Sequence, residues 1–122
     1  MTRAEVRARI EEIGILPAIR VPAPELARFA VEAVNHAGIT VAEVTMTVPR
    51  ALDVISQMSK SLPDMVIGAG TVLDIETARR CLDAGARFLT SPGLVLEVVE
   101  FAANNDIVVF PGALTPTEVI TA

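Results

Sequence analysis

Short apolar segments rich in Val, Ile and Ala recur about every 20 to 25 residues, and a stretch with helical periodicity separates each from the next. That alternation dictates a parallel sheet covered by helices. A parallel strand is reached only through a crossover long enough to hold a helix. The strands read as 15–20, 41–47, 65–69, 86–90 and 107–110. The helices between them read as about 25–37, about 49–61, a segment running from Asp74 to Ala84 and Gly85, and about 95–104. Local signals set the ends. Gly38 and Gly85 stand where a glycine closes a helix, and Asp74 is an N-cap. Pro49 opens its helix at a position where the missing N–H costs nothing. Pro17 is awkward inside the first strand and marks an end or an irregularity. An extra helix precedes the repeat: Thr2 and Glu5 have capping-box spacing, Val6, Ile10 and Ile13 share one stripe, and Gly14 ends it. After the fifth strand, Thr115, Pro116 and Glu118 open another helix that has only a few residues behind it. The expectation is a single partial domain over residues 1–122 that stops inside an element.

Two architectures hold five such units. One is a complete five-stranded doubly wound domain. The other is the first part of an eight-stranded (β/α)8 barrel, which typically needs about 200 residues or more. In both, the ligand sits at the C-terminal ends of the strands. Those ends read Ile19-Arg20, Glu43 to Thr47, Gly68-Ala69-Gly70-Thr71, Ser91-Pro92-Gly93 and Pro111-Gly112. Every strand ends in something small or polar, which suits a barrel mouth better than a switch-point crevice. The fold expected is therefore α/β, a TIM-type barrel of which the chain holds about the first five βα units plus an N-terminal helix. A phosphoacceptor receiver domain is excluded, since no acidic residues follow the first strand and no lysine ends the fifth.

The strand with the most chemistry is 41–47. Side chains alternate across a strand, so Glu43, Thr45 and Thr47 share one face while Ala42, Val44 and Met46 share the other. A carboxylate in line with two hydroxyls, inside an otherwise apolar strand, reads as a group pointing into a site. The competing reading, an edge strand with one face in water, leaves Glu43 without a task. Arg20, at the end of the first strand, is well placed to meet an anion. Thr71 follows two small residues that expose backbone N–H groups and precedes a helix, where anions are favoured. Gly68 and Gly70 serve close packing as readily as ligand contact. His36 falls at the opposite end of the sheet and reads as structural, Cys81 as a small core residue, and Arg79, Arg80, Glu97 and Glu100 as solvated helix faces.

Composition narrows the function classes. Hydrophobic residues make up 52% of the chain and charged residues 20%, so a folded core is expected; aromatic residues are only 3%, so Leu, Ile, Val and Ala must build it. The net charge is −5 with no basic stripe, which argues against nucleic acid and anionic membrane as partners. One cysteine forbids an internal disulfide and suits a reducing compartment. The charged N-terminus has no apolar centre of a signal peptide, so the expected location is cytoplasmic.

The segments EVTMTVP at 43–49, GAGTV at 68–72, SPG at 91–93, and PG followed by TPTE between 111 and 118 occur in one order. In that order the chain resembles the KDPG/KHG aldolases, which act on 2-dehydro-3-deoxy-6-phosphogluconate and 4-hydroxy-2-oxoglutarate. The resemblance implies a (β/α)8 barrel assembled as a homotrimer, and class I chemistry through a lysine Schiff base with no metal and no cofactor. It implies that Glu43 is the proton-transferring acid/base and that Thr71 helps bind pyruvate. Many members carry an arginine where this chain has Thr47; a subgroup reads TVP there and carries its arginine at the end of the first strand. This chain is similar to that subgroup, with Arg20 as the anion-binding residue and Thr47 as a hydroxyl contact. Pro92 would line the pocket.

The resemblance also implies a Schiff-base lysine on the sixth strand, after the TPTE helix. No lysine of this chain holds that position: the only one is Lys60, near the end of a helix and expected at the far face of the barrel. Two function classes follow. One is an aldolase releasing pyruvate with glyceraldehyde 3-phosphate or glyoxylate. The other is a non-catalytic half-barrel that binds small oxo-acid anions or associates with a partner chain, as open edges and apolar surface favour.

Overall fold

The computed structural model describes residues 1–122. The elements are α1 (Arg3–Ile13), β1 (Ala18–Ile19), α2 (Pro24–His36), β2 (Val41–Thr45), α3 (Ala51–Ser61), β3 (Val66–Gly70), α4 (Ile75–Asp83), β4 (Phe88–Ser91), α5 (Leu96–Asn104), β5 (Val108–Pro111) and α6 (Pro116–Thr121). All neighbouring strands pair in parallel, and the spatial order β1-β2-β3-β4-β5 follows the sequence. That order decides between the two architectures. A doubly wound sheet reverses direction at a switch point; this one always steps the same way, as the wall of a barrel does.

The two faces of the sheet are covered differently. Ala42, Val44, Ile67, Ala69 and Leu89 point outward into a core shared with Ala27 and Val31 of α2, Val54, Ile55 and Met58 of α3, Ala78 and Cys81 of α4, and Val98 of α5. The opposite, concave face is apolar only at its lower end. There Val41, Val66, Phe88 and Val108 form a second cluster, closed from below by Val6 of α1. The N-terminal helix thus plugs the bottom of the arc. It is held by its capping box, in which the Thr2 hydroxyl accepts from the Glu5 N–H and the Glu5 carboxylate accepts from the Thr2 N–H. Burial pushes the Cys81 thiol up to about 11, as expected of a core residue with no solvent path.

Several element ends differ from the sequence reading, each for a local reason. β1 is two residues rather than 15–20. Pro17 still lies beside β2, its carbonyl accepting from the Glu43 N–H at 2.9 Å, but it has no N–H to extend the ladder. β2 stops at Thr45, not Thr47. The Met46 N–H makes one last bond to the Gly70 carbonyl, and the Val48 N–H then turns back to the Thr45 carbonyl. Pro49 does not open α3. It lies in that turn, and Arg50, in the left-handed region at φ 55°, breaks the chain before Ala51 starts the helix. β4 begins at Phe88 rather than Ala86 and runs through Ser91.

One contact fixes the concave face. A side chain at Gly68 would overlap the Phe88 ring, which is fully buried and stands edge-on to Phe110 at 6.0 Å between centroids. The glycine leaves the space that the phenylalanine fills. Phe88→Ala empties it, and we expect a loss of about 3–5 kcal/mol in equilibrium urea unfolding, whereas Phe110→Ala, at a site 41% exposed, costs far less. Equal losses at the two positions would contradict this division of the concave face.

Candidate functional site

Register assembles the site. Glu43 pairs with Gly68 and with Ala18, Thr45 pairs with Gly70, and Thr90 pairs with Phe110. Continuing the Ala69–Leu89 pairing by one residue sets Gly70 beside Thr90. In a parallel sheet such partners point to the same side. Arg20, Thr45, Gly70, Thr90 and Phe110 therefore form one row across the concave face, toward the C-terminal ends of the strands. Below it runs the row of Ala18, Glu43, Gly68, Phe88 and Val108. The upper row is largely polar; the lower is apolar except for Glu43.

Glu43 leaves its row. Its carboxylate lies where a side chain at Gly70 would be, and any Cβ there would collide with it. The chain therefore stands a carboxylate over β3, flanked by Thr45 on β2 and Thr90 on β4. Glu43 is 8% exposed. Burial is the largest influence on it and raises its pKa above the ordinary carboxylate value. The Thr90 hydroxyl and the positive charge of Arg20 oppose that rise. A carboxylate tuned in this direction is protonated more readily near neutrality, as a group that both takes and gives a proton requires.

The neighbouring hydroxyls form a directed chain. The Thr45 hydroxyl donates to the Ile19 carbonyl at 3.2 Å. With its one proton committed, it accepts from the Thr47 hydroxyl at 2.8 Å. Thr47 in turn accepts from Arg20 Nη1 at 3.2 Å. The relay holds the Arg20 guanidinium at the mouth of the arc. Four ion pairs occur in the chain and none includes Arg20, so its charge is free for an incoming anion.

Thr71, just past Gly70, is half-buried and sits at φ 61°. A β-branched residue in the left-handed region is a true outlier, and such strain costs about 1–3 kcal/mol and clusters at ligand sites. The helix-terminus argument for Thr71 does not hold, however. α4 starts four residues later, and its first turn is already served by the Asp74 carboxylate, which accepts from the Thr77 N–H at 2.7 Å. What singles out Thr71 is its backbone conformation at the mouth. Pro92 stands at the same end of the sheet, just past β4, with its ring exposed and its carbonyl packed against Gly112.

Other candidates fall away from this cluster. Lys60 is exposed in the last turn of α3, at the end of the sheet where strands begin. His36 is exposed, its Nδ1 bonded to the Glu32 carbonyl at 2.8 Å. No three His, Cys, Asp or Glu side chains converge as metal ligands would. The largest hollow, about 640 Å³, lies between α1 and the open edge of β5, among Arg3, Arg7, Ile10, Val108 and Phe110. The groups with chemistry lie toward the other end of the strands. Thr90 is the site residue that the sequence reading passed over; Gly70, open there to either close packing or ligand contact, is required by the close approach of the Glu43 carboxylate. Alternation from Phe88 places Thr90 on the same inward face, a signal that the SPG motif after it does not carry.

The sequence profile described as KDPG and KHG aldolase matches residues 6–122. The chain belongs to the KDPG and KHG aldolase family. It is 31% identical over 119 residues to the 2-dehydro-3-deoxy-phosphogluconate aldolase of Pseudomonas aeruginosa, a match that takes in 98% of this chain and 54% of that relative. The crystal structure of the 2-keto-3-deoxy-6-phosphogluconate aldolase of Zymomonas mobilis ZM4 with 3-phosphoglycerate superposes with a TM-score of 0.87 at 28% identity, covering 98% of this chain and 56% of that one. A third comparison is the KDPG aldolase of Legionella pneumophila with pyruvate captured as a covalent carbinolamine intermediate. It gives a TM-score of 0.78 at 33% identity over 86% of this chain and 51% of that one. The chain spans about half the length of the curated relatives it matches. As a family member it carries the TIM-type barrel fold, of which its five parallel strands are the first part. No helix is long and apolar enough to cross a membrane.

The raised pKa of Glu43 has a consequence for stability. A carboxyl group whose folded pKa lies above its unfolded one contributes stability that is fully present below the unfolded value and lost as pH rises through the folded value. Glu43→Gln removes the buried charge. We expect the variant to melt above the wild type near pH 8 and the gap to shrink toward about pH 4, read by thermal unfolding across that range. A gap that widens toward acid would mean that Glu43 is a stabilising ion pair instead.

Proposed function

We propose that the protein to which this chain belongs is a class I aldolase. It cleaves 2-dehydro-3-deoxy-6-phosphogluconate, 4-hydroxy-2-oxoglutarate or both to pyruvate plus glyceraldehyde 3-phosphate or glyoxylate. The observation that carries the reading is a buried carboxylate held over Gly70 with an unpaired arginine above it, in a chain of this family. Such a site binds a small anion and moves protons beside it.

The reaction sets the roles. A lysine amine adds to the C2 ketone of the substrate, and loss of water leaves an iminium. The bond between C3 and C4 then breaks. Its electron pair flows into the iminium to give an enamine, and the proton of the C4 hydroxyl passes to Glu43 as the aldehyde departs. Glu43 returns that proton to C3 of the enamine, and water hydrolyses the new iminium to free pyruvate and the amine. One carboxylate serves each transfer, directly or through water, provided that it is neither strongly acidic nor fully shielded. Arg20 holds the substrate carboxylate, Thr47 keeps Arg20 in place and offers its own hydroxyl, Thr71 contacts the pyruvyl portion, and Pro92 lines the rim. No metal or cofactor takes part. The amine comes from the sixth strand of the complete barrel, in a cytoplasmic homotrimer.

Two measurements test this. In the complete chain, Glu43→Gln should lower turnover by about 10²–10⁴-fold while pyruvate affinity changes little, since the amide keeps the shape but shuttles no proton. Turnover within a few-fold of wild type would assign the proton transfers elsewhere. Treatment with pyruvate and borohydride should leave residues 1–122 unmodified, because Lys60 is at the wrong end of the sheet and arginine stays protonated. A chain extended through a sixth strand should gain one reduced pyruvyl group by mass spectrometry. An adduct on Lys60 would overturn the proposed site, and no adduct in the extended chain would favour the non-catalytic half-barrel.

A further inference from the structure

We propose that Thr90 is the positioning residue for the Glu43 carboxylate: its hydroxyl, level with Gly70 on the neighbouring strand, holds that carboxylate above β3. The argument begins with the empty lane. Above Val66, β3 offers only Gly68 and Gly70 to the concave face, and neither leaves room for a side chain: Phe88 fills the first gap and the Glu43 carboxylate the second. A carboxylate lying over Gly70 has one strand on each side. On the β2 side stands Thr45, but its proton is committed to the Ile19 carbonyl. On the β4 side stands Thr90, level with Gly70, half-buried, its hydroxyl bonded to no other protein group. Of the two hydroxyls that flank the carboxylate on neighbouring strands, Thr90 is therefore the one with a proton to give.

The backbone keeps it there. The Val72 N–H donates to the Thr90 carbonyl at 3.0 Å, and the Ser91 hydroxyl donates to the Val72 carbonyl at 2.8 Å. These two bonds tie the top of β4 to the segment just past Gly70 and Thr71. The side chain of Thr90 and the space over Gly70 thus move as one unit.

Arg20 is the only charged side chain facing Glu43, from β1. β3 contributes glycines, β4 Phe88 and Thr90, β5 Val108 and Phe110, and α1 Val6, so no other titratable group complicates its titration. Donation from Thr90 stabilises the ionised form, and removing it raises the Glu43 pKa. The inference rests on the acid/base role of Glu43 only for its kinetic meaning; the titration stands apart from it.

The test is a carbon-13 NMR titration of the Glu43 side-chain carboxyl in the full chain, assigned with Glu43→Gln. Thr90→Val keeps the shape of the side chain and deletes the donor, while Thr90→Ser keeps the donor and deletes a methyl. The expected result is an upward shift of the midpoint in Thr90→Val and a midpoint near wild type in Thr90→Ser. An unchanged midpoint in Thr90→Val, or an equal rise in both variants, would overturn the proposal, the second by pointing to methyl packing. If Glu43→Gln retains full turnover while the Thr90 shifts appear as expected, the aldolase role of Glu43 fails and the positioning role of Thr90 survives.

Discussion

The Glu43 carboxylate fits inside the parallel sheet because its neighbour Gly70 has no side chain in the space it occupies. The rest of the site depends on that vacancy. It lets Glu43 lean out of the apolar lower row into the polar upper one, where burial raises its pKa and Thr90 and Arg20 restrain the rise. A methyl group at Gly70 would displace the carboxylate, while the hydroxyl chain through Thr45 and Thr47 would still hold Arg20, so the proposed anion site would lose the proposed proton shuttle beside it.

The concave face is graded from bottom to top. Val6 of α1, Val41, Val66, Phe88 and Val108 make a dry floor. The strand ends above are polar, and the loops beyond them carry the left-handed Thr71 and Arg50. Buried apolar side chains are concentrated where helices meet the outer face and where α1 closes the floor; of the three left-handed non-glycine residues, Arg50 and Thr71 lie near the mouth and Asp106 at the other end, just before β5. This is the usual partition between scaffold and site in a barrel wall.

Much of the fold was legible because it depends on local chemistry. The spacing of apolar segments gave the strands, and capping boxes at Thr2 and Thr115 marked helix starts that the structure reproduces. Glu43 was legible from alternation, since an acidic residue stands out in a strand of Val, Ala and Thr. What escaped depends on long-range contacts. Nothing near Pro49 announces that Arg50 turns left-handed before α3 begins. Gly68 and Gly70 look alike in sequence, yet one admits an aromatic ring and the other a carboxylate, a difference set by which residue of which neighbouring strand falls at that level. Thr90 was hidden for the same reason: its importance lies in the register between β3 and β4.

The central claim is that Glu43, poised over Gly70, is the group that moves protons at the reacting carbons. The most direct measurement is a crystal structure of a chain extended through a sixth strand, with pyruvate trapped by reduction on the lysine proposed there. The account predicts the Glu43 carboxylate within direct hydrogen-bonding reach of the trapped group, about 2.6–3.2 Å, or one ordered water away, with the pyruvyl carboxylate facing Arg20. A trapped group bound at the other end of the strands, or one that leaves Glu43 facing away behind intervening side chains, would contradict it.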